Sequence, residues 1–194
     1  MSTPKLLAIG GLAAAAILVV SGLASMVVGY QGRADVRDTL AQENIIAPQD
    51  SRIPGEHVNT GSKARAQAEI IREHQLNRTE GLTYAEMGRF ATPDGNPAGT
   101  NDPAEAAVDG NGNPVANGDR ASWITATTLI TSLETAYFAE QVGNFVIVMG
   151  LTLLLTGIGL AILVGAAILG VPALQLRPAR EKPVPHGELA VEKV

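Results

Sequence analysis

Two stretches without a single charged side chain constrain this chain more than anything else in it: one lies between Lys5 and Arg33, the other between Glu140 and Arg177. Each is longer than the roughly 20 apolar residues that cross a bilayer as a helix. Hydrophobic residues make up 46% of the 194 and charged residues 17%. With so much apolar content gathered in two runs, a wholly soluble globular protein is excluded and an all-α membrane protein is expected. Leu6 to Tyr30 makes a helix about 37 Å long against a hydrocarbon core of roughly 30 Å. Lys5 ahead of it, and Gly22, Ala24 and Ser25 within it, also suit a secretory signal, but a signal's apolar region is only about 7 to 15 residues, so the run reads as an uncleaved anchor. The second run gives a membrane helix over 143–173 with Phe145 to Val171 at its centre, stopped by Pro172 and Pro178.

Ahead of the second run, Trp123, Ile124, Thr127, Ile130, Leu133 and Tyr137 recur at threes and fours. That spacing predicts a helix over 121–140 continuous with the membrane helix, its start capped by Asp119 or Ser122. Shorter helices are predicted near 34–42 and 63–76. In the second of these, Ala64, Ala68, Ile71 and Gln75 face away from Glu69, Arg72 and Glu73. Residues 92–118, rich in Gly, Pro, Asn and Asp, read as a long polar loop without a core of its own. Basic residues set the orientation: Arg177, Arg180 and Lys182 follow the second run, and none lies between Arg120 and that run. A short cytoplasmic N-terminus (1–5), an external region (31–142) and a cytoplasmic tail (174–194) follow for a two-helix hairpin in the plasma membrane. The external region holds 16 acids against 9 bases, a local charge of −7.

These features exclude several kinds of chemistry. The net charge of −5 argues against nucleic-acid binding, which needs a basic surface. Without cysteine there is no disulfide framework, thiolate zinc site or iron–sulfur cluster. Asp109-Gly-Asn111-Gly-Asn113 opens like a calcium loop, but Pro114 stands where glycine is needed and Arg120 where a bidentate glutamate belongs, so a run of turns is expected. His57, His74 and His186 show no metal-ligand spacing and read as exposed histidines. Neither apolar run contains an acid, as an ion or proton path would need. No catalytic residue, metal or cofactor is expected.

Small residues four apart, Ser21, Ser25 and Gly29 on the first run and Gly157, Ala161 and Gly165 on the second, predict helix-packing stripes. Trp123, Ile130, Leu133, Tyr137 and Phe138 predict an apolar surface above the membrane, to be covered by the 63–76 helix or by a partner protein.

Leu40-x-x-Glu43-Asn44-Ile45, Ala66-Gln67-Ala68-Glu69-Ile70-Ile71-x-x-His74 and Gly81-x-Thr83-Tyr84-Ala85-Glu86, ahead of a long second span, resemble a group of two-span actinobacterial membrane proteins. The likeness covers roughly residues 6–170; the 92–118 stretch departs from the shorter family pattern. The group has no established activity. Some members carry the label of an aromatic ring-opening dioxygenase, a chemistry whose metal ligands are missing here. The build is also similar to small accessory subunits of actinobacterial respiratory supercomplexes, a likeness of shape. The resemblance implies a noncatalytic accessory or scaffolding subunit whose partners are membrane lipids and other integral membrane proteins. A lipid or small-molecule binding protein at the outer membrane face, with a pocket near Trp123, Tyr84 and Phe90, is the alternative.

Overall fold

The computed structural model describes residues 3–170. Pro172, Arg177, Pro178, Arg180, Lys182 and His186, with the expected cytoplasmic tail and the last residues of the expected second span, lie outside the described residues. Within them the fold is all-helical, with isolated bridges in place of strands. Three helices carry it: α1 (Thr3–Gln42), α2 (Gly61–Arg78) and α3 (Gly118–Ile168), with one 3-10 turn at Tyr84–Glu86. The break expected between 6–30 and 34–42 is absent. No proline occurs from Val28 to Gln42, so no backbone donor is missing from the ladder, and α1 runs about 60 Å. Likewise α3 is one helix of about 76 Å.

In each long helix only 11% of the most apolar 18-residue window is buried inside the chain. A core helix of a soluble protein hides most of such a window; here it stays outside, on helices long and apolar enough to cross a membrane.

What α1 and α3 do bury is a narrow seam. On α1 it runs through Ala15, Gly22 and Gly29, and on α3 through Gly143, Gly150 and Gly157, seven residues apart on both. The two series meet in reverse order. A Cβ on Gly22 would lie 2.6 Å from the Leu154 amide nitrogen and 2.7 Å from the Gly150 carbonyl oxygen, one on Gly29 2.8 Å from the Gly143 oxygen, and one on Gly157 2.9 Å from the Ala15 oxygen. The helices are thus antiparallel, with backbones close enough that only glycine fits at these levels. A seven-residue repeat is the seam of a left-handed supercoil, whereas four-residue stripes suit the opposite crossing.

The expected packing stripes are corrected accordingly. Gly29 and Gly157 lie on the seam; Ser21 is exposed, Ser25 and Ala161 are half-buried, and Gly165 has open space where a Cβ would go. Four-residue steps rotate a stripe off a seam that repeats every 3.5 residues.

Beyond the apolar run, α2 lies antiparallel on α3. Leu40, Ala47, Val58, Ala64, Ala68 and Leu133 form the main core there, and Met87, Trp123 and Ala126 a second cluster. The α3 cap is neither Asp119 nor Ser122 but Asn117, whose side-chain oxygen accepts from the amides of Asp119 (3.0 Å) and Arg120 (3.2 Å). Its amide nitrogen donates to the carbonyls of Gly88 (3.2 Å) and Pro97 (3.1 Å). This side chain, buried within the chain, ties the start of α3 to the 92–118 stretch. That stretch is folded by bridges pairing Phe90 with Thr100 and Ala116, and Val108 with Pro114.

Gly22→Leu should lower the thermal unfolding midpoint in detergent by the equivalent of at least about 1–3 kcal/mol, because the added side chain meets backbone rather than a movable neighbour. Gly10→Leu, where nothing lies within 4 Å, should leave it unchanged. Asn117→Ala should cost about 1–2 kcal/mol for the lost cap and also loosen residues 88–117, read as faster amide exchange there than in α2.

Candidate functional site

Just before the apolar part of α3, Glu140 is buried to 5% exposure. A carboxylate survives there only if other groups replace its water, and three elements do so. From α1, Arg37 donates to Oε1 through Nε at 2.8 Å and Nη2 at 2.5 Å, and the Arg33 guanidinium stands 3.5 Å from the same oxygen. From the first turn of α2, the Gly61 amide donates to Oε2. A helix N-terminus carries unpaired amides and partial positive charge, so the carboxylate completes α2 as a cap supplied by a distant helix. Glycine is required, since a Cβ at position 61 would lie 2.8 Å from Oε2 and 3.0 Å from the Tyr137 Cα. Burial pushes the Glu140 carboxyl up, but the Gly61 amide and the two arginines outweigh it and hold it below its ordinary value.

Higher up, α2 and α3 are laced by polar contacts. Gln75 donates to the Ser122 hydroxyl at 2.6 Å, and Arg78 pairs with Asp119 at 3.0 Å. The Trp123 indole donates to the Leu82 carbonyl at 3.0 Å. Arg65 stacks on Tyr137 and Arg120 on Tyr84, 5.0 and 3.9 Å from the ring centres.

The expected external surface is therefore mostly internal. Trp123 and Leu133 are buried, and Ile130 and Tyr137 are half-buried, covered by α2, its 61–78 turns and the segments that follow. Phe138 alone of the five is largely exposed, at 67%. The reason is geometric: five positions on a helix do not share one face, and α2 takes the face of Trp123, Ile130, Leu133 and Tyr137. Trp123 and Tyr84 line a shallow hollow with Ile124 and Thr127, whereas Phe90 is engaged in the 92–118 stretch and does not reach it.

A larger groove, of about 780 Å³, opens between α1 and α3 with α2 behind it. Val36, Leu40, Ile71 and Leu133 are among its apolar lining, Asp35 and Glu43 are its only charged residues, and Gln67 is buried among them. No sequence signal pointed to this groove or to the partners of Glu140. Glu140 was legible as the last charge before the second apolar run, but its partners come from residues about a hundred positions away.

Two of the histidines, His57 and His74, are surface groups. His57 is exposed and bridged through its backbone to Ile46; His74 is exposed and pairs with Asp50 at 2.7 Å. The Asp109 carboxylate accepts from the amides of Asn111 and Asn113, both at 2.8 Å, so the calcium-like motif is occupied with its own turns. Among the described residues no three His, Asp or Glu side chains converge as metal ligands. Comparison with family models, with characterised proteins and with solved structures finds no match to the chain.

Glu140→Gln should destabilise the fold toward the low end of the roughly 3–5 kcal/mol lost when a buried ion pair is broken, because both arginines keep partial access to water. The sign in pH follows from the lowered carboxyl. Its contribution is complete above the ordinary value of 4.5 and is lost as pH falls through the folded-state value below it. The unfolding midpoint of the natural chain should therefore approach that of Glu140→Gln on acidification through this window, and the two should run parallel above it.

Proposed function

We propose that this chain is a noncatalytic integral membrane protein of the plasma membrane that serves as an accessory or scaffolding subunit of a larger membrane complex. In this reading α1 and α3 cross the bilayer as a hairpin, residues 31–142 stand outside and both termini are cytoplasmic. The apolar windows left uncovered on both helices support the membrane placement. The Arg177, Arg180 and Lys182 cluster supports the orientation.

The single observation that carries the scaffolding role is the outward face of α3. Ile124, Phe138, Val142 and Phe145 are exposed along it, continuous from the external region into the apolar run. Between them, the hydroxyls of Thr128, Ser132 and Thr135 all donate to carbonyls four residues back on the same helix, at 2.8, 2.9 and 2.7 Å. These three hydroxyls need no water, so another protein can cover them without leaving them unpaired. The actinobacterial resemblance and its respiratory-supercomplex analogy enter here as the first class of complex to test.

A photo-crosslinking residue placed at Thr131 or Phe138 in intact cells should yield a discrete protein adduct. The same residue at Glu73, on the polar face of α2, should not. Adducts to lipid alone at all three positions would overturn the reading.

A further inference from the structure

Arg33 carries the inference. Among the described residues its one polar contact is from Nε to Glu140 Oε1 at 3.5 Å, and the two terminal nitrogens of its guanidinium have no acceptor. Arg37 already gives that oxygen two donors, and the Gly61 amide takes the other, so the carboxylate has little left to offer. Nor do the charges cancel: two guanidinium groups share one carboxylate, which leaves one positive charge. Asp35 and Asp38 do not offset it, since they lie two and five residues along α1, about 200° and 140° round the helix from Arg33. Lys63, close by at the start of α2, is paired with Glu56. The unspent cation is held in place. The Arg33 stem lies beside the α1–α3 seam, where a Cβ on Gly143 would stand 3.5 Å from the Arg33 Cγ, and the side chain is 31% exposed.

Its level is set by the chain itself. Arg33 is the first charged residue after the apolar run of α1, and Glu140 the last before that of α3. In any bilayer crossed by both helices, the cluster stands where hydrocarbon gives way to head groups, the layer that holds phosphates. Tyr30, exposed one turn before Arg33, suits the same boundary with an apolar ring and a polar tip. Further into the apolar run the surface continues with Val27 on α1 and with Val148, two turns past Glu140 on α3, both exposed.

We infer that Arg33, with Arg37 beside it, binds the phosphate of an anionic phospholipid whose chains lie against Tyr30, Val27 and Val148. A guanidinium edge matches phosphate oxygens with paired donors. Net negative charge is selected because the cluster has a cation to spare, and a zwitterionic head group would bring a second cation against it. The inference rests on the membrane placement proposed above. It is independent of the scaffolding role, whose Phe138 and Val142 lie two residues either side of Glu140, on the far side of α3.

The test uses the full chain in nanodiscs of mixed phosphatidylcholine and phosphatidylglycerol, with one lipid or the other carrying a photoreactive chain and the labelled residues mapped by mass spectrometry. The ratio of phosphatidylglycerol to phosphatidylcholine labelling at Tyr30 and Val148 should exceed that at Val142 and Phe145 about fivefold, the gain from one cation near an anionic membrane surface. Arg33→Gln should bring the two ratios together, with α2 still docked because Arg37 keeps its bonds to Glu140. Excess inorganic phosphate at matched ionic strength should leave the difference in place, as the site takes a lipid and not the free anion. Equal ratios on the two faces of the natural chain would overturn the inference, as would a difference that survives Arg33→Gln or disappears in phosphate. Absence of labelling at Phe145 by either lipid would instead overturn the membrane placement.

Discussion

The polar part of this protein hangs on one buried carboxylate. Glu140 gathers the guanidinium groups of Arg33 and Arg37 from α1 and the first free amide of α2, so a single side chain joins all three helices where the polar and apolar parts of the chain meet. The arrangement is stable because every cost is offset locally. The two cations balance desolvation of the anion, and the anion satisfies a helix end that would otherwise lack a partner. Direction follows as well. With the N-terminus of α2 held beside Glu140, the helix can only run back along α3 toward Trp123, which places Ala64 and Ala68 against Leu133.

Below that junction, packing rather than charge holds the helices together. The two helices leave most of their apolar windows outward and meet instead where their backbones can come close. The series Ala15, Gly22, Gly29 against Gly157, Gly150, Gly143 supplies that contact over four to five turns. The seam and the Glu140 cluster share one register: Gly143 is the next seam position after Glu140 on α3, and Gly29 the one before Arg33 on α1. A slip of one residue would break both, so polar and apolar contacts specify the same pairing.

Above the junction, the polar stretch borrows its order. Residues 92–118 have too few large apolar side chains for a core, and they are held by backbone bridges and by Asn117, whose side-chain oxygen caps α3 while its amide nitrogen donates to the Gly88 and Pro97 carbonyls. Asp119 and Ser122 have the right chemistry for that cap, but Asp119 is drawn to Arg78 and Ser122 to Gln75, and the helix starts at Gly118 with Asn117 as its cap. The groove at Gln67 has the same origin. It exists because α2 covers one side of the α1–α3 cleft and leaves the other side open.

Much of the fold was legible in the amino-acid order alone. Charge-free length determined the two long helices, and three-and-four spacing determined that α3 continues above its apolar run, because both depend only on local backbone geometry and solvent preference. The exposure of His57 and His74 and the self-occupied Asp109 turns were also local matters. Partnership was not. Which glycines form the seam depends on the crossing of two helices, so the period of seven emerged only when α1 met α3. Glu140, Gly61 and Asn117 acquire their roles from residues 20 to more than 100 positions distant. Sequence by itself determined which segments are helices and which must avoid water; tertiary structure decided which of their faces meet, because a helix carries its own hydrogen bonds but takes its neighbours from the rest of the chain.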